Sequence, residues 1–350
     1  MRHHSFQPIK TLLALLLMAG MTACANQVAV TSNSSVATAD SRTEIAIEGN
    51  TSVNNQDSRV VFVTKSAATK LLATEDEYIK SLSAFDWQAK FKSNRKLSPS
   101  ELSDYYAKAT LEWDSTSEQK VLTAVKVLEG KITGLKLQHP ATLKFLLTNG
   151  LVESGAAYTR EDYIVLTTEM LSLPQSELNY IVAHEFFHVY SRSHQAEQDK
   201  MYAAVGFKQI PPLVLPSELD ALRISNPDSP IMRFAVDLDY QGKLLTFVPL
   251  LHSNKEYDTA SNLSFFNYLS NDLLAITVQD GQSKSLLING KPLIVSAEST
   301  NYKAVVKPNS AYLHHPEEVS AENFSYWVVG KDIEHKAPVQ KLITTMASIH

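Results

Sequence analysis

The chain carries a single cysteine, Cys24, in 350 residues, so no disulfide can form within it and cross-links do not hold the fold. It has no Lys/Arg stripe and a formal charge of −5, which argues against a nucleic-acid partner, because phosphate binding calls for a basic face. The apolar run at residues 12–18 is too short to span a bilayer as a stable helix. No internal repeat is visible, so nothing suggests a repeat architecture. What remains is a chain of ordinary apolar content, which permits one large domain or two small ones.

The N-terminus has the order of an export signal: Arg2 and Lys10, then the apolar run. That segment closes with Met21-Thr22-Ala23-Cys24, which resembles the lipobox of bacterial lipoproteins, where cleavage leaves a cysteine that is then acylated. Met21 stands where such boxes most often carry Leu. By that resemblance residues 1–23 are a lipoprotein signal peptide and Cys24 is the lipidation site, a lipid anchor in the bacterial cell envelope. Ala25 in place of Asp resembles the sorting pattern of outer-membrane lipoproteins, facing the periplasm. Ordinary cleavage around Ala23-Cys24-Ala25, releasing a soluble protein, is the competing reading. Residues 24–58, rich in Ser, Thr, Asn, Ala and Gln, bury too little surface to repay ordering and read as a disordered tether. The folded domain is expected over residues 59–350.

Within it the patterning is mixed. Strands are expected over 60–63, 142–147 and 163–167, and β-like runs over 244–251, 273–278, 286–288 and 293–295. A helix is expected from Pro99 to about residue 113, another over 117–129 ended by Gly130, and two more over about 315–329 and 339–349. The fold class is α+β. The stretch after the central helix, with Pro-rich turns such as Asn226-Pro227-Asp228-Ser229-Pro230, could line a cleft.

The central feature is His184-Glu185-Phe186-Phe187-His188. Leu178, Ile181, Val182, Phe186 and Val189 follow helical spacing, and Pro174 followed by Ser176 and Glu177 reads as a helix start. On a helix, residues four apart are separated by ~6 Å of rise and ~40° of turn, so both imidazoles can reach one metal ion while Glu185 stands beside it as a base. The bland alternative is a buried amphipathic helix with two structural histidines.

A catalytic zinc normally takes three protein ligands and keeps one position open. His194 stands ten residues after His184, the spacing of metzincins, but Ser191 replaces the glycine that breaks the helix there. If the helix simply continues, His194 lies ~15 Å along the axis from His184. The other candidate is Glu318, in Pro316-Glu317-Glu318-Val319-Ser320-Ala321-Glu322-Asn323-Phe324. Glu318 and Glu322 share a helical face, so one can ligate while the other bonds the outer nitrogen of a ligand histidine. Glu317 and the preceding Pro316 fit ordinary helix-start electrostatics.

The pair of motifs resembles the gluzincin metallopeptidases, in which HExxH on one helix is completed by ExxxD on a later one. The wider strings are also similar to those of bacterial zincin-like proteins. The resemblance implies a zincin-like domain with a small mixed sheet and a second ligand-bearing helix, with Zn2+ as cofactor. It implies His184, His188 and Glu318 as metal ligands, Glu185 as base and Glu322 in the outer Asp position, here one methylene longer. It also implies an edge strand just before the HExxH helix, a place the 163–167 strand fits. Tyr312, His314 or His315, just before the second helix, could donate to the oxyanion of a tetrahedral intermediate; of these Tyr312 and His315 are favoured, and His252 is a more distant possibility. Phe186, Phe187 and Tyr190 read as core. The expected activity is hydrolysis of a peptide or protein substrate. The rival class is an inactive zincin-fold lipoprotein that binds or scaffolds an envelope partner.

Overall fold

The computed structural model describes residues 49–53, 59–137, 140, 142–260, 265–310 and 314–349. The signal-like segment, Cys24 and most of the expected tether lie outside the described residues, as does Tyr312. Among the described residues no helix is long and apolar enough to cross a membrane.

The first sheet is built from β1 (Gly49–Val53), β2 (Arg59–Val63), β3 (Thr142–Thr148), β4 (Tyr158–Arg160) and β5 (Tyr163–Thr167), in the order β1-β2-β3-β5-β4. β1 falls inside the stretch expected to be tether, where it pairs antiparallel with β2. β2, β3 and β5 run parallel. Their near-continuous apolar sequences follow, because parallel strands are covered on both faces. Val60, Phe62, Phe145 and Ile164 enter one core, while Val61, Val63, Leu146 and Val165 enter a second on the opposite face.

That second core is roofed by four short helices, α1 (Lys65–Ala73), α2 (Glu77–Ser81), α3 (Ala84–Phe91) and α4 (Pro99–Ala109). α4 stops before the expected residue 113, because Thr110 leaves helical geometry to bridge Thr148 of β3. Trp113 then donates its indole N–H to the Phe145 carbonyl at 3.2 Å. On the other face lie α5 (Ser115–Ile132), the short α6 (Thr168–Ser172), α7 (Gln175–Ser193), α8 (Gln198–Ala203), and, much later in the chain, α11 (Pro316–Val329) and α12 (Lys336–Ala347). Gly130 does not end α5. A glycine costs a helix ~1 kcal/mol, and burial of Leu128 and Ile132 on either side of it outweighs that cost. α11 does end at a glycine, Gly330, whose φ of 67° suits the left-handed cap.

Between α8 and α11 the chain forms a second sheet with β6 (Lys208–Gln209), β7 (Leu213–Val214), β8 (Phe234–Tyr240), β9 (Lys243–Ser253), β10 (Leu269–Gln279) and β11 (Gln282–Ser285), with helix α9 (Ser217–Ala221) between β7 and β8 and helix α10 (Tyr302–Val306) after the last strand. Strands β8 to β11 make an antiparallel meander. Phe234, Val236, Leu238, Phe247 and Leu273 face the main core; Ala235, Val248, Leu250 and Leu274 face a satellite core. β8 was not expected from the sequence. The architecture is mixed helix and sheet, in agreement with the α+β expectation.

One buried ion pair ties β4 to the helical roof. Arg160 Nε donates to Asp76 Oδ2 at 2.7 Å, and Arg160 Nη1 to the Leu72 carbonyl at 3.0 Å. Asp76 also caps α2 through the Ile79 amide. Asp76→Ala strands a guanidinium that is 1 % exposed. We expect it to destabilise the chain by ~3–5 kcal/mol, measured by urea unfolding.

Candidate metal centre

α7 carries the HExxH sequence and runs unbroken to Ser193. Leu178, Val182, Phe186 and Val189 bury into the main core, which turns His184 and Glu185 toward a cavity of about 420 Å³ shared with Glu318. α11 is held against α7 by ring contacts. Phe324 stacks on Phe186 at 5.8 Å and meets Phe187 at 5.9 Å, and Tyr180 stacks on Tyr326 at 5.6 Å. The expectation that Phe186, Phe187 and Tyr190 are core holds, since all three are fully buried.

This packing sets the first turn of α11 over the two histidines. Glu318 Oε2 lies 3.2 Å from His184 Nε2 and 3.8 Å from His188 Nε2. One donor atom from each of His184, His188 and Glu318 lies within 4.8 Å of the others. Two donors ~2.1 Å from one tetrahedral ion stand ~3.4 Å apart, so the spacing suits a single cation. Two further observations support the fit. His188 Nε2 is buried and, among the described residues, has no hydrogen-bond partner. Its other nitrogen, Nδ1, is fixed at 2.7 Å from Glu317 Oε1, the arrangement that aims an imidazole at a metal.

The carboxylate on the second nitrogen of His188 is therefore Glu317, and Glu322 hydrogen-bonds neither histidine. Glu322 Oε1 is 3.9 Å from His184 Nδ1, beyond hydrogen-bond range, and accepts instead from the Tyr180 hydroxyl. Glu317, read from sequence as helix-start electrostatics, is 3 % exposed. It accepts from Ser191 Oγ at 2.6 Å and from the Tyr202 hydroxyl as well as facing His188. Ser191, in the position where metzincins carry glycine, thus holds the same Glu317 oxygen that faces His188.

Glu185 is buried, and its Oε2 accepts from Thr159 Oγ1 at 2.9 Å. Burial raises its pKa to about 7, against the opposing pull of His184 and the Thr159 hydroxyl. For Glu318 burial works upward, but the His184 hydrogen bond and the charges of both histidines prevail and hold its carboxyl low. Burial opposes a charged His184, yet Glu318, Glu185 and Glu322 overcome it and raise its pKa to about 10. Such a carboxylate-rich cluster demands positive charge, which a proton or a divalent cation can supply.

The 163–167 strand is not at the sheet edge: β5 lies between β3 and β4, and the three-residue β4 takes the outer place. β4 packs beside α7, and Thr159 also donates to the Glu185 carbonyl at 3.1 Å. Two residues of the Pro-rich turn at 226–230 reach the centre. Asn226 Nδ2 donates to Glu318 Oε1 at 2.5 Å, and Asp228 Oδ1 stands 4.0 Å from His188 Nε2. Asp228 also forms a second possible donor group with Glu185 and His188. Its pKa is raised by burial and by the charges of Glu185 and Glu318. Sequence reasoning missed Thr159, Asn226 and Asp228, and saw in Glu317 only its helix-start part, which the first turn of α11 bears out, and not its bond to His188.

The other candidates lie elsewhere. His194 caps the end of α7, with Nδ1 2.9 Å from the Tyr190 carbonyl and its ring stacked on Tyr190. His252 pairs with Asp272 at 3.0 Å on the second sheet. His315 is the N-cap of α11, accepting from the Glu317 amide at 3.2 Å, so capping rather than oxyanion binding is its visible part; burial lowers its pKa to about 4. His314 contacts Tyr302. The stretch after the central helix does line the cleft, through Leu251, Phe265, Phe266 and Leu269. Comparison of the chain with protein-family models, curated proteins and solved structures finds no match.

Proposed function

We propose that the protein is a zinc-dependent metallopeptidase of the zincin type, lipid-anchored through Cys24 in the bacterial envelope, acting on peptide or protein substrates. The observation that carries this reading is the juxtaposition of His184, His188 and Glu318, with His188 oriented by Glu317 and a buried carboxylate, Glu185, beside them. His184, His188 and Glu318 would hold the ion, which when bound supplies a Lewis acid that activates water and stabilises charge on a carbonyl oxygen.

The chain's own groups account for the proton traffic. Glu185 takes a proton from the attacking water and later delivers it to the leaving amine. Burial of Glu185 favours taking up that proton, and the Thr159 hydroxyl bonded to it favours giving the proton up again. Thr159 Oγ1 holds one carboxylate oxygen of Glu185, leaving the other to exchange the proton. The apolar cavity lined by Met170, Ile181, Phe265 and Leu269 gives a side chain next to the scissile bond a dry place to bind.

The test is hydrolysis of a mixed pool of unstructured peptides, followed by mass spectrometry. We expect cleavage by the zinc-loaded protein, its loss on chelation and its return with added zinc. Cleavage that survives chelation, or a zinc-loaded protein that leaves every peptide intact, would overturn the proposal.

A further inference from the structure

β4 is the outer strand of its sheet among the described residues, yet all three of its residues are buried. Tyr158 and Arg160 bury against the helical roof, while the 226–230 turn lies over Thr159. In an antiparallel ladder successive residues direct their N–H and C=O groups alternately toward the partner strand and away from it. Thr159, the middle residue of β4, directs its N–H away from β5 and donates it to Asp228 Oδ1 at 2.6 Å. The outward donor of the strand is thus taken by a side chain of the same molecule. Asn226 fastens the turn to Glu318, and Arg192 Nη2 fastens it through the Pro227 carbonyl at 2.7 Å.

Cavities lie on both sides of this contact. Tyr158, with Met170, Ile181 and Phe265, borders the cavity of about 420 Å³. Arg160, with Arg192 and Arg233, borders another of about 580 Å³. Pro227 and Asp228 border both. Tyr158 and Arg160 flank Thr159 in sequence, so the two cavities follow one strand and are divided where Asp228 meets it.

We infer that the two cavities are halves of one peptide groove and that Asp228 is its resident occupant, holding the Thr159 amide where a substrate main-chain carbonyl binds. The inference rests on the metallopeptidase reading and adds the regulation of that site. The ligand is an extended peptide, paired to β4 through its backbone, with an apolar side chain on the Tyr158 side and a polar one on the Arg160 side. Because one N–H serves one strong acceptor at a time, and a carboxylate competes better than an amide carbonyl, the peptide binds only by moving Asp228 aside. The resting chain is accordingly self-restrained. A substrate that engages both cavities has the binding energy to open it.

The test uses the zinc-loaded full chain and two probes. Acetohydroxamic acid reaches the ion without reaching β4, whereas a leucine-containing tripeptide hydroxamate reaches both. We expect Asp228→Ala to bind the tripeptide probe about tenfold more tightly than wild type, the worth of one hydrogen bond freed from competition. Acetohydroxamic acid, measured on each protein, reports any change that the loss of Asp228 makes at the ion itself, and the tenfold gain is read relative to it; the Thr159 amide should exchange with deuterium faster in ligand-free Asp228→Ala. Asp228→Asn, which keeps the side-chain shape with a weaker acceptor, should fall between them. Equal tripeptide affinity in wild type and both variants, with acetohydroxamic acid still bound, would overturn the inference alone. Failure of wild type to bind acetohydroxamic acid would remove the metallopeptidase reading and this inference with it.

Discussion

We expect Glu185→Gln to lower peptide turnover by about 10³-fold while the protein keeps its ability to bind a metal ion. The reasoning is local. Glu185 stands beside the His184, His188 and Glu318 donors without being one of that group, so removing its charge takes away the proton acceptor and leaves the ligands in place. Glutamine has the same length and can still accept from Thr159 Oγ1, so the contact between β4 and α7 survives. Burial disfavours the charged form of Glu185, so the neutral replacement should not weaken the fold. Turnover at saturating peptide, with metal content measured on the same sample, checks both halves. A variant with wild-type turnover would remove Glu185 from the chemistry and assign the proton transfer to another group.

Glu318→Ala is expected to have a large effect on a different quantity. Loss of an outer-shell partner typically costs metal affinity ~10–100-fold, and loss of one of three direct donors should cost more. The change also leaves Asn226 Nδ2 without its acceptor and removes the group that draws His184 and His188 together. We expect zinc affinity, measured by chelator competition, to fall by more than ~10²-fold. His194→Ala, by contrast, should leave it unchanged, because that ring lies against Tyr190 at the end of α7. The opposite pattern would transfer the third position to His194.

These expectations show which parts of the site a sequence can express. Helical spacing put His184, Glu185 and His188 on one helix, and a Pro at the first position marked the start of α11. Both signals are local, and both elements formed nearly as expected. Spacing also showed that Glu318 and Glu322 share a face, but it did not give the rotation of α11 against α7. That rotation is set by Phe186, Phe187 and Phe324, and it brings Glu317 to His188 while Glu322 turns to Tyr180. A strand of three residues is too short to show an alternating pattern, which is why β4 went unseen and β5 was read as the edge. Asp228 sits in a turn whose Pro residues announce only a change of direction. Nothing near it in the chain signals that the turn closes onto Thr159, 69 residues earlier. The helix limits erred for related reasons: at Thr110 the sheet claims the backbone, and at Gly130 core burial carries the helix onward.

Metal analysis of purified protein tests the central claim most directly, since everything proposed for the cleft depends on an ion held by α7 and α11. The account predicts about one zinc per chain in wild type and in Glu185→Gln, and little or none in Glu318→Ala. Zinc-free wild type that takes up none on incubation, or Glu318→Ala that binds zinc like wild type, would contradict it.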